Sequence, residues 1–416
     1  MENVRVRIAP SPTGYAHVGT AYTALLNYAF ARRNNGKFIV RIEDSDLKRN
    51  IKDADEKIYK ALEWLNIKWD EGPFKLSDRL SLYKQKANEL LKKKLAYEDQ
   101  GAIRFKSSNE DVSWKDLVRG EIRFSGAEIK DFVLLKSDGY PTYNFNVVVD
   151  DIDMKISHVI RGEDHVSNTP RQIALYKAFG VEPPFFAHHP MLLNTQRKKL
   201  SKRDAAVDIE EYRKMGILPE AFVNFLCLMG WSHPEEKDIF DLEEFVNLFS
   251  LERVRKSGAI FDINKLLWIN QQYIINSEPS TFNTKVFNFY SAKYPMEIIE
   301  KVGPLVQTRV KTLKDFDDLA GFLLQRPTVD VTLLGENYKN HLVSAVSALS
   351  VIDNFDCEAV NHSLANVIRN CNYNTGKFFM DLRIAVTGKK ITPPLTESMI
   401  ILGKEETLTR IKSLVK

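Results

Sequence analysis

Near the start of the chain Val4, Val6 and Ile8 alternate with Arg5 and Arg7, and the alternation stops at Ala9-Pro10-Ser11-Pro12-Thr13-Gly14. A period of two over so short a run predicts a strand ending in a tight turn. His17-Val18-Gly19-Thr20 follows and leads into TAYTALLNYAFARRNN, where Ala21, Leu25, Tyr28 and Ala29 keep helical spacing and Asn34-Asn35-Gly36 supplies a stop. A second strand, Lys37-Phe38-Ile39-Val40-Arg41-Ile42, ends in Glu43-Asp44-Ser45-Asp46. Strand, helix and strand in close succession predict a βαβ unit and a parallel sheet. Ligands of such sheets sit beyond the C-terminal strand ends, where both the HVGT turn and the acidic cluster fall. The acids have a second reading, as the N-cap of the helical ADEKIYKALEWLNI.

Residues 80–95 predict another amphipathic helix. From 97 to about 124 the signals mix, with short strands in AIRFK and EIRFS, a turn at Ser107-Ser108-Asn109 and a helix around Trp114 and Leu117. The stretch reads as a small insertion in the sheet. DFVLLKSDGYPTYNFNVVVDD predicts two strands about Ser137-Asp138-Gly139, the second strongly apolar. ISHVIRGED predicts one more, ending in Arg161-Gly162-Glu163-Asp164-His165, and Asn168 and Pro170 open the helix TPRQIALYKAF, closed by Gly180. This is the second half of a doubly wound α/β domain. PFFAHHPMLL predicts a strand, Asn194-Thr195-Gln196-Arg197 a turn, and Lys198-Lys199-Leu200-Ser201-Lys202-Arg203 a dense basic loop. From Ile209 onward the periodicity is helical, with a polar break at Asn276-Ser277-Glu278-Pro279-Ser280 and no strand alternation after it.

Composition narrows this little. A chain of 416 residues has room for two or three domains with buried cores. No apolar run approaches the roughly 20 residues of a membrane span, and a first strand beginning by Val4 leaves no room for a targeting peptide. Cys227, Cys357 and Cys371 lie far apart and form no CxxC pair, which fits a reducing, cytoplasmic setting and disfavours a disulfide framework or cysteine zinc site. A net charge of +4 permits a nucleic-acid partner without arguing for one.

The candidate chemistry starts at the first turn. A strand, a Pro/Gly turn and a helix N-terminus aim backbone N–H groups and a positive dipole end at an anion, and Arg5, Arg7 and His17 add to it. The turn reads as a nucleotide-phosphate site. Gly14 and Gly19 approximate the spacing of G-x-x-x-x-G-K-[ST], yet Thr20 stands where the lysine should be and Ala21 follows, so a phosphate loop is rejected. No G-x-G-x-x-G follows a strand either. The cations must come from elsewhere, and Lys199 and Lys202, flanking Ser201, are the source at hand. Alone, a basic run is usually a solvated loop and a lone histidine usually structural. Their combination and order are what carry weight.

PSPTGYAHVGT, RIEDSD, DGYPTYNF, VIRGEDH and KKLSKR, in that order, resemble the class I aminoacyl-tRNA synthetases, and among these the bacterial-type glutamyl-tRNA synthetases. His17-Val18-Gly19-Thr20 stands for the family's HIGH signature, and Lys199-Leu200-Ser201-Lys202-Arg203 for its KMSKS. LCLMGW and FDINKLLWIN resemble the stem-contact region. The likeness runs from the start to about residue 275 and then thins to TRVKTLKDF and general helicity. It implies a Rossmann-like parallel-sheet catalytic domain over residues 1–190, with a short connective insertion at 97–128. A helical stem-contact region at 191–278 carries the KLSKR loop, and an all-helical anticodon-binding domain follows at 279–416.

The implied reaction joins L-glutamate to ATP as glutamyl-adenylate and passes the acyl group to the 3′ end of tRNA(Glu), releasing AMP and pyrophosphate. The implied catalytic residues are His17, Thr20, Lys199 and Lys202, with Gly19 and Ser201 also at ATP. Glutamate has two carboxylates and an ammonium, so recognition wants guanidinium forks and a carboxylate. Arg7 and Arg161 fit the first need and Glu43 the second, all on family positions, while Ala9, Ser11 and Tyr143 fall on further pocket positions. Asp46 and Arg309 are the implied tRNA contacts. ATP brings Mg²⁺ held by phosphates and water. The insertion lacks cysteines, so no zinc is expected, and the expected state is a cytoplasmic monomer with no membrane contact. Alternatives are an enzyme charging tRNA(Gln) as well or instead, and a non-catalytic tRNA-binding paralogue. The second should have lost His17, Lys199 or Lys202, and all are present.

Overall fold

The computed structural model describes residues 4–12, 14, 16–44, 51, 53–198, 200, 207–291 and 293–415. The chain divides into two compact units, Met1–Ile269 and Asn270–Lys416.

The first unit opens with β1 (Arg5–Ile8), α1 (Val18–Arg33), β2 (Lys37–Ile42), α2 (Ala54–Trp64) and β3 (Glu71–Lys75). β1 pairs with β2 and β2 with β3, both parallel. Arg5 clamps the sheet's width, donating to both carboxylate oxygens of Glu71 at 2.7 and 2.8 Å. β3 escaped sequence reading because EGPFK is largely exposed and polar, so no alternation marks it. α1 is buried on nearly all sides, from Val18 and Tyr22 to Leu26 and Phe30, as suits a helix apolar all round. Asn27 Nδ2 fixes it by donating to the Ile160 carbonyl at 3.0 Å.

After α3 (Leu80–Lys92) come β4 (Ala96–Asp99), β5 (Ala102–Phe105), β6 (Val112–Asp116), β7 (Gly120–Phe124) and β8 (Phe132–Leu135). β4, β5 and β8 form an antiparallel sheet, and β6–β7 a hairpin. Trp114, expected in a helix, therefore lies in a strand, where its ring stacks on Phe124 of the partner strand at 5.9 Å. α4 (Tyr143–Asp153) corrects the reading of NFNVVVDD as a strand. Phe145, Val147, Val148 and Val149 are all buried, so core packing overrides the β preference of three successive valines.

β9 (His158–Gly162), α5 (Thr169–Phe179) and β10 (Phe185–His189) complete the sheet, β10 pairing with β9 in parallel. β9 lies beside β1, since Ser157 N–H donates to the Arg5 carbonyl at 3.0 Å and Arg5 N–H to the Ser157 hydroxyl at 2.8 Å. The spatial order is β3-β2-β1-β9-β10, a doubly wound sheet whose order reverses between β1 and β9. Such a reversal opens a crevice at the strand C-termini. β11 (Leu192–Leu193), α6 (Ile209–Lys214), α7 (Pro219–Gly230), α8 (Leu242–Leu248), β12 (Ala259–Ile260) and α9 (Ile263–Ile275) follow.

The second unit is helical among its described residues: α10 (Pro279–Phe289), α11 (Met296–Val306), α12 (Asp315–Ala320), α13 (Tyr338–Ser350), α14 (Cys357–Asn370), α15 (Thr375–Thr387), α16 (Leu395–Leu402) and α17 (Lys404–Lys412). Leu342, Leu349, Leu364, Phe378 and Met399 are among its core side chains. No described helix is long and apolar enough to cross a membrane.

Gly230 ends α7 where a methyl group would stand 1.7 Å from Tyr22 Oη, and Tyr22 is fully buried in α1. Gly230→Ala is therefore expected to cost about 1–3 kcal/mol through overpacking. Thermal unfolding should show the loss, and adding Tyr22→Phe should recover part of it. An unchanged Tm would mean that α1 and α7 separate there without penalty.

Candidate active site

A cavity of about 580 Å³ occupies the crevice between β1 and β9. Its lining includes Arg7, Ala9, Ser11, His17, Gly19, Thr20, Glu43, Tyr143 and Arg161, so nine residues singled out from sequence meet in one place. Each comes from a strand end or helix start, as an α/β sheet dictates.

His17 is the N-cap of α1, and its Nδ1 accepts the Gly19 backbone N–H at 2.9 Å. In the neutral ring the proton then belongs on Nε2, leaving that atom a donor. The bland reading of this histidine, as a structural cap, and the functional one are compatible. The helix start is also stitched to a distant segment: Val18 N–H donates to the Val207 carbonyl at 2.9 Å and Ile209 N–H to the Ala16 carbonyl at 3.1 Å. Leu200, bonded to the Leu192 carbonyl at 2.8 Å, lines the cavity. Lys199, Ser201, Lys202 and Asp46 lie outside the described residues.

Among the described acids of the cluster, Asp44 does not cap α2, whose N-cap position is Asp53 with no capping bond from its side chain. Asp44 instead accepts from the Ser77 backbone N–H at 2.8 Å and its hydroxyl at 2.6 Å, capping the turn Leu76–Arg79. Glu43 is buried at the end of β2, and burial raises its carboxyl to about 7 against the pull of Arg41.

The two arginines paired by sequence reading are not alike. Arg7 makes a bidentate ion pair with Asp151 at 3.0 and 3.1 Å, and Arg41 donates to the same carboxylate at 2.6 Å. All three are at most 3% exposed. Burial alone would raise the Asp151 carboxyl, but Arg41 and Arg7 outweigh it and hold it below the usual range. Arg161 is just as buried, yet its described partners are neutral: Thr169 Oγ1 at 2.7 Å, His188 Nε2 at 3.1 Å and, more distantly, Tyr143 Oη at 3.5 Å. Burial lowers its pKa accordingly. His165, hydrogen-bonded to Tyr143 Oη at 2.9 Å, is pushed down to about 4 by burial and by Arg161.

Sequence reasoning missed Asp151, Thr169 and His188. The signal for Asp151 was a pair of acids closing an apolar run, where a carboxylate opposes the helix dipole unless a cation faces it. Among the described residues no cluster of three or more His, Cys, Asp or Glu is arranged to hold a metal ion.

Residues 3–102 and 98–268 match the family described as tRNA synthetases class I (E and Q), catalytic domain. The chain belongs to this family. Residues 281–415 match an anticodon binding domain family, so the two matches take in nearly the whole synthetase chain. Among curated relatives, glutamate–tRNA ligase 2 of Caldicellulosiruptor saccharolyticus is 37% identical, with 98% of each chain covered. The glutamate–tRNA ligase of Bacillus pumilus is 36% identical, with 99% of each covered. The crystal structure of a glutamate tRNA ligase from Elizabethkingia meningosepticum, in complex with its amino acid, superposes with a TM-score of 0.87 at 30% identity, covering 100% of this chain and 99% of that one. In this class I synthetase Arg309, the remaining sequence candidate, is exposed in the second unit and donates to the Thr392 carbonyl at 3.0 Å.

Replacing Asp151 by Asn would leave two buried guanidiniums without their shared countercharge, at a cost of about 3–5 kcal/mol. Chemical denaturation should show that loss for Asp151→Asn. A stability within about 0.5 kcal/mol of wild type would show that Arg7 and Arg41 do not depend on it.

Proposed function

We infer that this synthetase is a glutamate–tRNA ligase, forming glutamyl-adenylate from L-glutamate and ATP and esterifying the 3′ end of tRNA(Glu). Arg161 is the observation that carries the reading. It is a buried cation whose described partners are neutral, beside Arg7 and Glu43 in a cavity large enough for an amino acid and part of a nucleotide. A ligand carboxylate would compensate that charge, and an ionised Glu43 would receive the ammonium.

In the first step a glutamate carboxylate oxygen attacks the α-phosphorus of ATP, and the bond to the pyrophosphate oxygen breaks. In the second, a terminal ribose hydroxyl attacks the acyl carbonyl and AMP leaves. No protein nucleophile is needed; positioning and charge neutralisation do the work. ATP arrives with Mg²⁺ as its substrate complex. His17 Nε2–H and the start of α1, with Gly19 and Thr20, are assigned to its phosphates. Lys199 and Lys202, with Ser201, are assigned to the pyrophosphate end. Their flanks support this, since Leu200 lines the cavity and Val207 pairs with the residue after His17. Ala9, Ser11 and Tyr143 complete the amino-acid side. Residues 1–190 form the catalytic domain, 191–278 the stem-contact region and 279–416 the anticodon-binding domain, with Asp46 and Arg309 as tRNA contacts.

ATP–pyrophosphate exchange with glutamate and tRNA, then aminoacylation of purified tRNA(Glu) and tRNA(Gln), tests the activity and its tRNA range. Arg161→Ala should cripple glutamate activation, by about a hundredfold or more in kcat/KM, while leaving the KM for ATP nearly intact. Unchanged glutamate kinetics would remove Arg161 from this role.

Glu43 yields a pH prediction. Its folded pKa of about 7 lies above the ordinary 4.5, so the folded protein keeps a proton there that the unfolded chain releases. That contribution to stability is fully present below about pH 4.5 and is lost as pH rises through about 7. The ionised form is the one that binds an ammonium, so kcat/KM for glutamate should rise through about pH 7 while stability declines. A flat profile from pH 6 to 8 would count against Glu43 as the ammonium partner.

A further inference from the structure

We propose that Asp116, carried by the short insertion, is a positioning residue that holds Arg161 in its glutamate-binding pose by fixing the tautomer of His188. This rests on Arg161 being the group that receives a glutamate carboxylate. The insertion's β6–β7 hairpin lies against β10, where Leu117 N–H donates to the Phe186 carbonyl at 2.8 Å. That contact brings Asp116, 2% exposed, against His188, which is fully buried.

The hydrogen bonds leave one consistent assignment of protons. Arg161 Nε–H can only donate, so His188 Nε2, at 3.1 Å, must accept. A neutral ring then carries its proton on Nδ1, which stands 2.5 Å from Asp116 Oδ2, an acceptor. Asp116 Oδ1 is engaged separately, accepting from the backbone N–H groups of Val118, Arg119 and His188 at 3.0, 3.0 and 3.1 Å. One carboxylate oxygen thus builds the hairpin turn and the other sets the imidazole. Thr169 Oγ1, at 2.7 Å from Arg161 Nη2 and 3.2 Å from His188 Nε2, completes the cradle.

The arrangement suits its place. An imidazolium here would lose the acceptor for Arg161 and set a second cation beside it, and burial lowers the ring's pKa against the pull of Asp116. A neutral histidine gives the guanidinium an oriented partner without cancelling its charge. A carboxylate touching Arg161 directly would cancel it, as Asp151 does for Arg7.

Asp116→Asn is the discriminating variant. Asn keeps a carbonyl oxygen for the hairpin turn but offers an N–H to His188 Nδ1, driving the ring proton to Nε2, where it opposes Arg161 Nε–H. The KM for glutamate in pyrophosphate exchange should rise about tenfold to a hundredfold, with the KM for ATP changed less than about twofold. In an Arg161→Ala background the same change should add nothing, because its route is gone; a purely structural role for Asp116 would add its full effect there too. Unchanged glutamate KM in Asp116→Asn, or additive effects in the double variant, would overturn the proposal. If Arg161→Ala itself leaves glutamate KM unchanged, the underlying reading of Arg161 fails as well. Should Asp116→Asn not fold, nitrogen NMR of the wild-type enzyme decides: a neutral His188 protonated on Nδ1 supports the relay, and an Nε2–H tautomer or an imidazolium at pH 7 overturns it.

Discussion

The first unit is organised by the need to keep three guanidiniums charged away from water. Arg7, Arg41 and Arg161 stand behind one cavity and are each at most 5% exposed. An isolated buried charge costs several kcal/mol, so each must be met by a countercharge, by hydrogen bonds or by a ligand. Arg7 and Arg41 are met by Asp151, which closes α4 against the direction its dipole favours. Neighbouring Asp150 takes Arg79 and Tyr83, each at 2.8 Å, tying that helix end to the start of α3. The end of α4 is therefore set by charge as much as by its valines.

A second constraint acts at the start of α1. A helix N-terminus has unsatisfied N–H groups, and the His17 side chain caps one of them, accepting from Gly19 N–H. Stitching residues 16–18 to 207–209 holds that helix start beside a segment nearly two hundred residues downstream.

Legibility in the sequence followed the range of the forces involved. β1, α1 and β2 were readable because alternation, helical period and the Asn34-Asn35-Gly36 stop are local signals. α4 was not, because Val147, Val148 and Val149 favour a strand in isolation and only packing against neighbouring elements makes them helical. The cavity-lining residues were readable through their order and their placement at strand ends. Asp151, His188 and Asp116 were silent because their roles exist only in pairs 144, 27 and 72 residues apart in sequence. The acids of VVVDD and the double histidine of FFAHH did mark the ends of apolar runs, where buried polar groups need a partner.

Charge balance then argues for the side chain that the cavity selects. Arg7, Arg41, Asp151 and an ionised Glu43 sum to zero, whereas Arg161, with neutral described partners, adds one positive charge. Glutamate carries two carboxylates and one ammonium and so brings one net negative charge; glutamine brings none. With the acid bound, these five side chains and the ligand sum to zero. With the amide Arg161 keeps no countercharge among them, and that penalty falls on glutamine binding alone. On the proposed glutamate-binding role, selectivity rests on Arg161 rather than on Arg7, whose charge Asp151 already meets. It also depends on nothing acidic reaching Arg161 from the protein, which a neutral histidine permits and a carboxylate at position 188 would not.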